Sequence, residues 1–210
     1  MLVELKKRWR KWLSLRSNMG AKIFLLIFLS SVSTTFSQRY KVLEGKLENL
    51  HDIKSYQVAF NYENLEVHGF ESEEAFLKEK MEKRKANPEK AENFRRDWFL
   101  NREKYYHPAF INYFNTYFKK GECKIVDDSP YLMRVNLTWI YPGYAIEPSK
   151  LSATIEFVDS LNSKKLLVIH FEKVIGFEKN AVVVVNEHER VIGAFEKLAK
   201  NLAVQLKRFH

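Results

Sequence analysis

The sequence YLMRVNLTWIY, residues 131–141, decides the fold, because large apolar side chains occupy every second position along it. The same alternation returns in LSATIEFVD, residues 151–159, and in residues 166–173. A period of two is typical of a strand with one face on a core and one wetter face. The segments that separate these runs, 142–150 and 159–165, are rich in turn formers. The three runs therefore predict an antiparallel meander of consecutive strands.

Further strands are predicted upstream of the meander. In residues 56–62 the large apolar groups again fall on alternate positions, which indicates a half-buried strand. Residues 40–44 and 65–68 are assigned to shorter strands, and residues 45–53 to a turn or a short helix. The first part of the domain is therefore expected to be built of strands.

Two helices are predicted between these strands and the meander. Ser72 is the expected N-cap of a helix that runs to about Lys85, and Asn87-Pro88 begins the next one. His107-Pro108 is expected to break or kink that second helix, since the residue before proline disfavours the helical region. Its apolar side chains recur at helical spacing and are interpreted as core residues. They are Ala91, Phe94, Trp98, Phe99, Tyr105, Tyr106, Phe110 and Phe114.

The chain ends in a predicted amphipathic helix. Asn186 is its expected N-cap, with Glu189 in the position that completes a capping box. Residues 181–185 are an apolar strand candidate that leads into it. Its apolar stripe consists of Val191, Phe195, Leu198, Leu202, Leu206 and Phe209. The predicted fold class is therefore α+β: an antiparallel β-sheet meander with helices packed on one face and a C-terminal amphipathic helix.

Residues 22–38, KIFLLIFLSSVSTTFSQ, are interpreted as a signal peptide up to its cleavage site. The apolar run is seven residues long, whereas a membrane-spanning helix needs roughly 20. A basic residue before a short apolar run and small residues after it describe a secretory signal. We predict cleavage between Ser37 and Gln38, so that residues 1–37 are a basic segment with a signal peptide and residues 38–210 a single α+β domain. A membrane-retained signal anchor is the alternative.

Residues 1–18 are unusually long for the part of a signal peptide that precedes its apolar run. Translation from Met19 would give a signal peptide of ordinary proportions, so Met19 is an alternative start. If residues 1–18 are present, their basic run with Trp9 and Trp12 suits an anionic membrane face. Membrane association is therefore expected through the N-terminal segment alone.

The basic excess of the chain lies mostly in the segment that is expected to be removed. The formal net charge is +9, but residues 1–37 hold seven of the Lys and Arg residues and one acid, Glu4. The predicted mature part has a net charge of +3. An excess of this size does not favour nucleic acid as a partner, so none is expected.

The sequence contains no strong catalytic, cofactor or metal motif. Its six histidines include no helical pair with the spacing of a metal site, and neither a phosphate-binding loop nor a nucleophile elbow occurs. Cys123 is the only cysteine, so no intramolecular disulfide can form, and it is interpreted as a small buried hydrophobe. We expect no cofactor and no metal, and an enzyme is not favoured.

The loop that follows residues 131–141 holds the candidate binding residues. Trp139, Tyr141 and Tyr144 surround a Pro-Gly turn and are candidates to present aromatic rings to a partner. The alternative is a hairpin whose tyrosines fold back onto the edge of the sheet.

Four segments of the sequence resemble uncharacterised exported α+β proteins of Bacteroidota. They are FSQ at 36–38, VNLTWIYPGY at 135–144, LSATIEFVD at 151–159 and VIGAFEKLAKNLAVQLK at 191–207. The resemblance implies a location in a Gram-negative envelope and an α+β domain, but no reaction. A more distant likeness is to small envelope lipoproteins that assist transport or assembly complexes. This chain lacks the lipid-bearing cysteine of those proteins.

These observations lead to one functional hypothesis with two alternatives. The first is an exported, periplasmic or secreted, non-enzymatic module that binds another envelope protein, a glycan or a lipid. The alternatives are a hydrolase of unrecognised type and a protein held at the inner membrane by an uncleaved signal segment.

Overall fold

The structure, a computed structural model, describes residues 40–118, 121–144, 147–177 and 187–209, which all belong to one compact unit. Their strands are β1 (Tyr40–Gly45), β2 (Ser55–Asn61), β3 (Glu66–Val67), β4 (Lys124–Ile125), β5 (Tyr131–Tyr141), β6 (Lys150–Asp159) and β7 (Lys164–Ile175). Their helices are a 3₁₀ turn (Leu47–Leu50), α1 (Glu73–Glu82), α2 (Pro88–Asn101), a π-helical turn (Arg102–Tyr106), α3 (His107–Tyr117) and α4 (Glu187–Leu206).

The strands form one sheet in the order β1-β7-β6-β5-β2-β4, with β3 also paired to β5. The predicted antiparallel meander is confirmed for β5, β6 and β7, and β1 extends it with a further antiparallel pair. The sheet as a whole is mixed, because β2 and β3 pair with β5 in parallel. Parallel neighbours need a long crossover connection, and α1, α2 and α3 provide it between β2 and β5.

Helices α1 and α2 begin at the capping residues that the sequence indicates. The Ser72 hydroxyl accepts a hydrogen bond from the Ala75 N–H at 3.1 Å. The Asn87 carboxamide oxygen accepts one from the Lys90 N–H at 3.0 Å, with Pro88 in the first turn of α2. Each cap satisfies one backbone donor that the helix itself leaves unpaired.

The expected interruption at Pro108 takes the form of a π-helical turn. His107 keeps helical backbone angles, φ −61° and ψ −49°, although it precedes proline. Pro108 lacks an N–H, and its ring would clash with the carbonyl four residues earlier in a regular helix. The wider turn at Arg102–Tyr106 accommodates the proline, so α2 continues into α3 without a loop.

The described helices pack on one face of the sheet, as the sequence predicts. On that face Phe60 of β2 contacts Phe110 of α3 and Phe195 of α4, with ring centroids 5.5 and 6.3 Å apart. The buried side chains that the meander contributes include Met133, Val135, Leu137, Ile155, Phe157, Ile169 and Phe171. Helix α4 buries the apolar stripe from Val191 to Leu206 against them.

Several sequence predictions lie outside the described residues. They are the signal peptide and its cleavage site, the strand candidate at 181–185 and the N-cap Asn186. Within the ranges that the structure describes, every helix is too short or too polar to cross a bilayer.

Candidate functional site

A bulge in β5 brings two of the candidate binding residues to the face of the sheet on which none of the described helices packs, which we call the helix-free face. The pairing with β6 shifts register between Leu137 and Trp139, where Thr138 is the extra residue. A bulge changes the side on which the following side chains lie. Leu137 and Ile140 are therefore both buried, whereas Trp139 and Tyr141 lie half-exposed on the other face.

Trp139 and Tyr141 form a cluster with an exposed histidine and two lysines. The His68 ring meets both aromatic rings edge-on, at 5.6 Å from Trp139 and 5.1 Å from Tyr141. The Lys173 Nζ lies 5.7 Å from the centre of the Trp139 ring, and the Lys150 Nζ lies 5.4 Å from that of Tyr141. These are cation–π distances. We refer to His68, Trp139, Tyr141, Lys150 and Lys173 as the aromatic patch.

Tyr144, the third candidate, is separate from these contacts. Its side chain is 77% exposed, beyond the end of β5. Tyr141, by contrast, donates a hydrogen bond to Glu147 Oε2 at 2.7 Å. That hydrogen bond and partial burial raise the pKa of Tyr141 above its ordinary value. The structure thus brings Trp139 and Tyr141 together, and their role in binding stays a prediction.

His68 belongs to the aromatic patch although its sequence context gave no sign of it. The backbone N–H of His68 donates to the Ile140 carbonyl at 2.8 Å, which continues the parallel pairing of β3 with β5. This pairing fixes the ring beside Trp139 and Tyr141. The only local signal was the short strand predicted at 65–68, and that pattern does not reveal the neighbouring strand.

The helix-free face next to the patch is polar. The Asn61 Nδ2 donates to the Asn136 Oδ1 at 3.3 Å, and the Thr154 Oγ1 lies 3.0 Å from the His170 Nδ1. These four side chains occupy matching register positions on β2, β5, β6 and β7. They form a row of hydrogen-bonding groups that crosses the strands.

An ion-pair cluster lies one register step from this row. The Arg134 guanidinium is 3.0 Å from a carboxylate oxygen of Glu156, and the Lys165 ammonium is 3.7 Å from the other. The helix-free face therefore combines polar groups with the aromatic patch, which is the composition of a recognition surface rather than of a core.

A second cluster of functional groups lies between α1, α2 and the end of β2. The indole N–H of Trp98 donates to the Glu73 carboxylate at 2.6 Å, and the Arg102 guanidinium pairs with the same oxygen. The guanidinium also lies 4.0 Å from the centre of the Tyr62 ring. The Tyr62 hydroxyl is 3.0 Å from the His107 Nε2. We refer to Glu73, Trp98, Arg102, Tyr62 and His107 as the interior polar cluster.

The environment of this cluster shifts two of its ionisation equilibria. Burial, assisted by the charge of Arg102, lowers the pKa of His107 from 6.5 to about 4. The His107 ring also stacks on Phe60, with centroids 4.0 Å apart and planes 3° apart. Burial raises the pKa of Tyr62, and Arg102 opposes that shift. His107 is therefore neutral and Tyr62 protonated near pH 7.

The internal void beside the interior polar cluster is small, and the side chains of the cluster hydrogen-bond to one another. The internal void that Tyr62, Trp98 and Arg102 line measures about 10 Å³, which is about the minimum for one water molecule. A more open pocket of about 270 Å³ meets the cluster at Tyr62 and Glu73, and glutamates dominate its remaining lining. Glu73 is engaged with Arg102 and Trp98, so the cluster is best understood as structural.

A groove of about 650 Å³ runs between α1 and α2. Leu77, Met81 and Ala91 contribute apolar surface to it, and its carboxylates, such as Glu74 and Glu92, are exposed at its rim. A catalytic pocket brings convergent titratable groups into a partly desolvated space. This groove does not have that arrangement.

The described part of the chain holds neither a group of metal ligands nor a reactive thiol. Within those ranges no three His, Cys, Asp or Glu residues are grouped so that they could hold a metal ion. Cys123 is fully buried, as the sequence indicates, and burial raises the pKa of its thiol to about 12. A thiol in that state is unreactive, because the thiolate is the nucleophile.

Comparisons with known proteins identified no relative, so the functional proposal rests on the geometry of the aromatic patch. A scan against protein-family models, a search of curated proteins and a search of solved structures each found no match to this chain.

Proposed function

We propose that this chain is an exported, non-enzymatic envelope protein that binds its partner through the aromatic patch. The observation that carries the proposal is the grouping of Trp139, Tyr141 and His68 on the helix-free face. Lys173 lies over the Trp139 ring and Lys150 over the Tyr141 ring. The partner is an envelope protein, a glycan or a lipid.

The patch has the physical properties of a binding anchor. Trp and Tyr combine a large apolar surface with a polar group, and they carry a disproportionate share of binding energy at interfaces. Trp139 and Tyr141 lie directly after the bulge in β5, in a stretch that pairs with β6 on one side and is flanked by β3 on the other. Little conformational entropy is therefore lost when a partner orders them.

A hydrolase of unrecognised type is the alternative that the interior polar cluster favours. The Tyr62–His107 contact and the lowered pKa of His107 are the kind of perturbation that marks active sites. The same shift follows from burial in a structural network. Purified protein that hydrolyses ester, amide or glycosidic substrates, and loses that activity in H107Q, would establish the alternative.

The binding proposal is tested by protection of Trp139 from a quencher. The chain has four tryptophans, and the predicted processed form retains Trp98 and Trp139. Trp98 is buried, so iodide quenching reports mainly on Trp139. Envelope protein, glycan and lipid fractions are added separately to the exported protein. One fraction is expected to reduce quenching in the wild type and not in W139F. If no fraction protects Trp139, the aromatic patch is not the binding surface.

The proposed location is tested separately by N-terminal sequencing. Full-length chain expressed in a Gram-negative host and purified from its envelope should begin at Gln38. An intact N-terminus in the membrane fraction would support the inner-membrane-anchored alternative. Intact chain in the cytosol would exclude export.

A further inference from the structure

A line of three lysines follows the C-terminal helix on the side that faces α3. Lys197 and Lys200 of α4 and Lys207 just after it are spaced by three and seven residues, which places them on one side of a helix. The backbone remains helical at Lys207, whose N–H donates to the Ala203 carbonyl at 2.9 Å. The line extends about 15 Å along the helix axis. We refer to Lys197, Lys200 and Lys207 as the basic stripe.

Aromatic rings hold the ammonium groups of the basic stripe in place. Two of these groups lie over Phe177, at 5.1 Å for Lys197 and 5.5 Å for Lys200. Lys207 lies 5.4 Å from the centre of the Tyr117 ring. Tyr113 stacks on Phe177, with centroids 5.6 Å apart. Cation–π attraction positions the charges without neutralising them.

The basic stripe has no carboxylate partner in the described part of the chain. The ion pairs found there, such as those of Lys83 and Lys165, do not include the three lysines. Burial and the charge of Lys200 lower the pKa of Lys197, as expected where like charges converge. Glu196 lies at the edge of the stripe, where its charge acts on a tyrosine of α3. Among the described residues, the stripe is thus a set of positioned cations without an ion-pair partner.

We propose that the basic stripe binds an acidic polysaccharide, with carboxylate or sulfate groups of the polymer between and beside the three ammonium groups. This surface is separate from the aromatic patch. The inference goes beyond the proposed function and does not depend on what the patch binds.

The shape of the stripe favours a linear polymer over a bilayer. Membrane-surface helices combine cations with large apolar side chains that enter the lipid. In the described ranges, the large exposed hydrophobic residues lie on other elements than α3 and α4. Single-stranded nucleic acid would need free ring faces for base stacking. Phe177 has lysines over it and stacks on Tyr113, so its ring is already engaged.

The test measures binding of a galacturonic acid oligosaccharide to the exported protein by isothermal titration calorimetry at physiological ionic strength. K197Q/K200Q/K207Q should weaken binding by at least about tenfold. K197R/K200R/K207R should retain binding, because it keeps the charges. K46Q/K90Q/K164Q removes the same net charge from other surfaces and should bind like the wild type. Circular dichroism melting curves check that each variant is folded.

Three outcomes would overturn the inference. They are no binding of the oligosaccharide, equal weakening by the control triple variant, or tighter stripe-dependent binding of phosphatidylglycerol vesicles or of single-stranded polynucleotide. A neutral glucan oligosaccharide should not bind to the stripe. W139F should bind the acidic oligosaccharide normally, so failure here is distinguishable from failure of the proposed function.

Discussion

Glu73 is the residue on which the interior polar cluster depends. Its carboxylate accepts a hydrogen bond from the Trp98 indole and pairs with Arg102. The side chain of Glu73 is only 11% exposed and that of Arg102 only 15%. A buried ion pair adds little net stability relative to an apolar pair of the same shape, yet removing one partner leaves an uncompensated charge. Arg102 also lies over Tyr62, which contacts His107. A substitution of Glu73 should therefore disturb the contacts of every side chain in the interior polar cluster.

We expect Glu73→Gln to lower the free energy of unfolding by about 3 kcal/mol, because the Arg102 guanidinium would stay buried without an anion. Urea denaturation followed by fluorescence measures the change. Lys83→Gln is the matched control, since it breaks an exposed pair with Glu79 and should cost less than about 0.5 kcal/mol. Equal costs for the two variants would contradict the structural role of Glu73.

His107 makes stability depend on pH in a defined window. Its folded pKa, about 4, lies below the ordinary value of 6.5, so the unfolded chain takes up the proton first as pH falls. The stability associated with neutral His107 is complete above pH 6.5 and is lost as pH falls towards 4. Because the ring is partly exposed, the loss is expected to be of order 1–2 kcal/mol.

Denaturation of wild type and H107Q at several pH values between 7 and 4 measures this effect. Glutamine can still hydrogen-bond Tyr62 but does not titrate in this range. As pH falls, the wild type should lose more stability than H107Q does. A difference that is independent of pH would show that His107 does not dominate the acid response.

Backbone contacts hold the end of β7 against α4. The Gly176 N–H donates to the Ser149 carbonyl at 2.8 Å, and the Phe177 N–H donates to the Gly193 carbonyl at 3.2 Å. A Cβ on Gly176 would lie 2.8 Å from the Ala194 nitrogen. The strand end and the helix therefore touch through backbone atoms, with no side chain between them. The bulge at Thr138 and the π-helical turn likewise direct the elements that follow them.

We expect Gly176→Ala to destabilise the protein by about 1–3 kcal/mol, because backbone atoms of α4 cannot yield as a flexible side chain would. Thermal unfolding followed by circular dichroism measures the effect. Gly69→Ala serves as a comparison: its added Cβ would meet nothing within 4 Å, and only its positive φ of 82° opposes the change. That variant should cost about 1 kcal/mol. A neutral Gly176→Ala would mean that β7 and α4 are farther apart than described.

In the fold taken together, α4 covers the core. One face of the sheet carries the buried rows of the meander, and α4 buries residues from Val191 to Leu206 on it. A sheet with an uncovered apolar face would expose a surface of the kind that drives aggregation. The other face carries the row of polar side chains, the Arg134–Glu156 ion pair and the aromatic patch, so one sheet separates the structural layer from the candidate recognition surface.

We expect a chain that ends after Asn186 to lose its cooperative thermal transition, because the core would lack the whole apolar stripe of α4. Deletion of residues 208–210 alone should change the transition temperature by only a few degrees. Circular dichroism melting compares the two truncations with the full chain. A cooperative transition in the shorter chain would show that the sheet and the other helices form a core without α4.

Elements with local signals could be predicted from the amino-acid pattern alone. Alternation in residues 131–141 and 151–159 specified strands and most of their buried sides, Ser72 and Asn87 specified helix starts, and the α4 stripe specified a helix on a sheet. These signals are local because period and capping depend on neighbouring residues.

Which elements meet could not be predicted from any local pattern and is seen in the folded chain. The parallel pairing of β2 and β3 with β5, the position of His68 beside Trp139 and the Glu73–Arg102 pair all join residues far apart in sequence. A strand pattern specifies which side chains are buried, but it does not specify which strand edge lies alongside. That choice follows from how α1, α2 and α3 cross the sheet and where they return the chain.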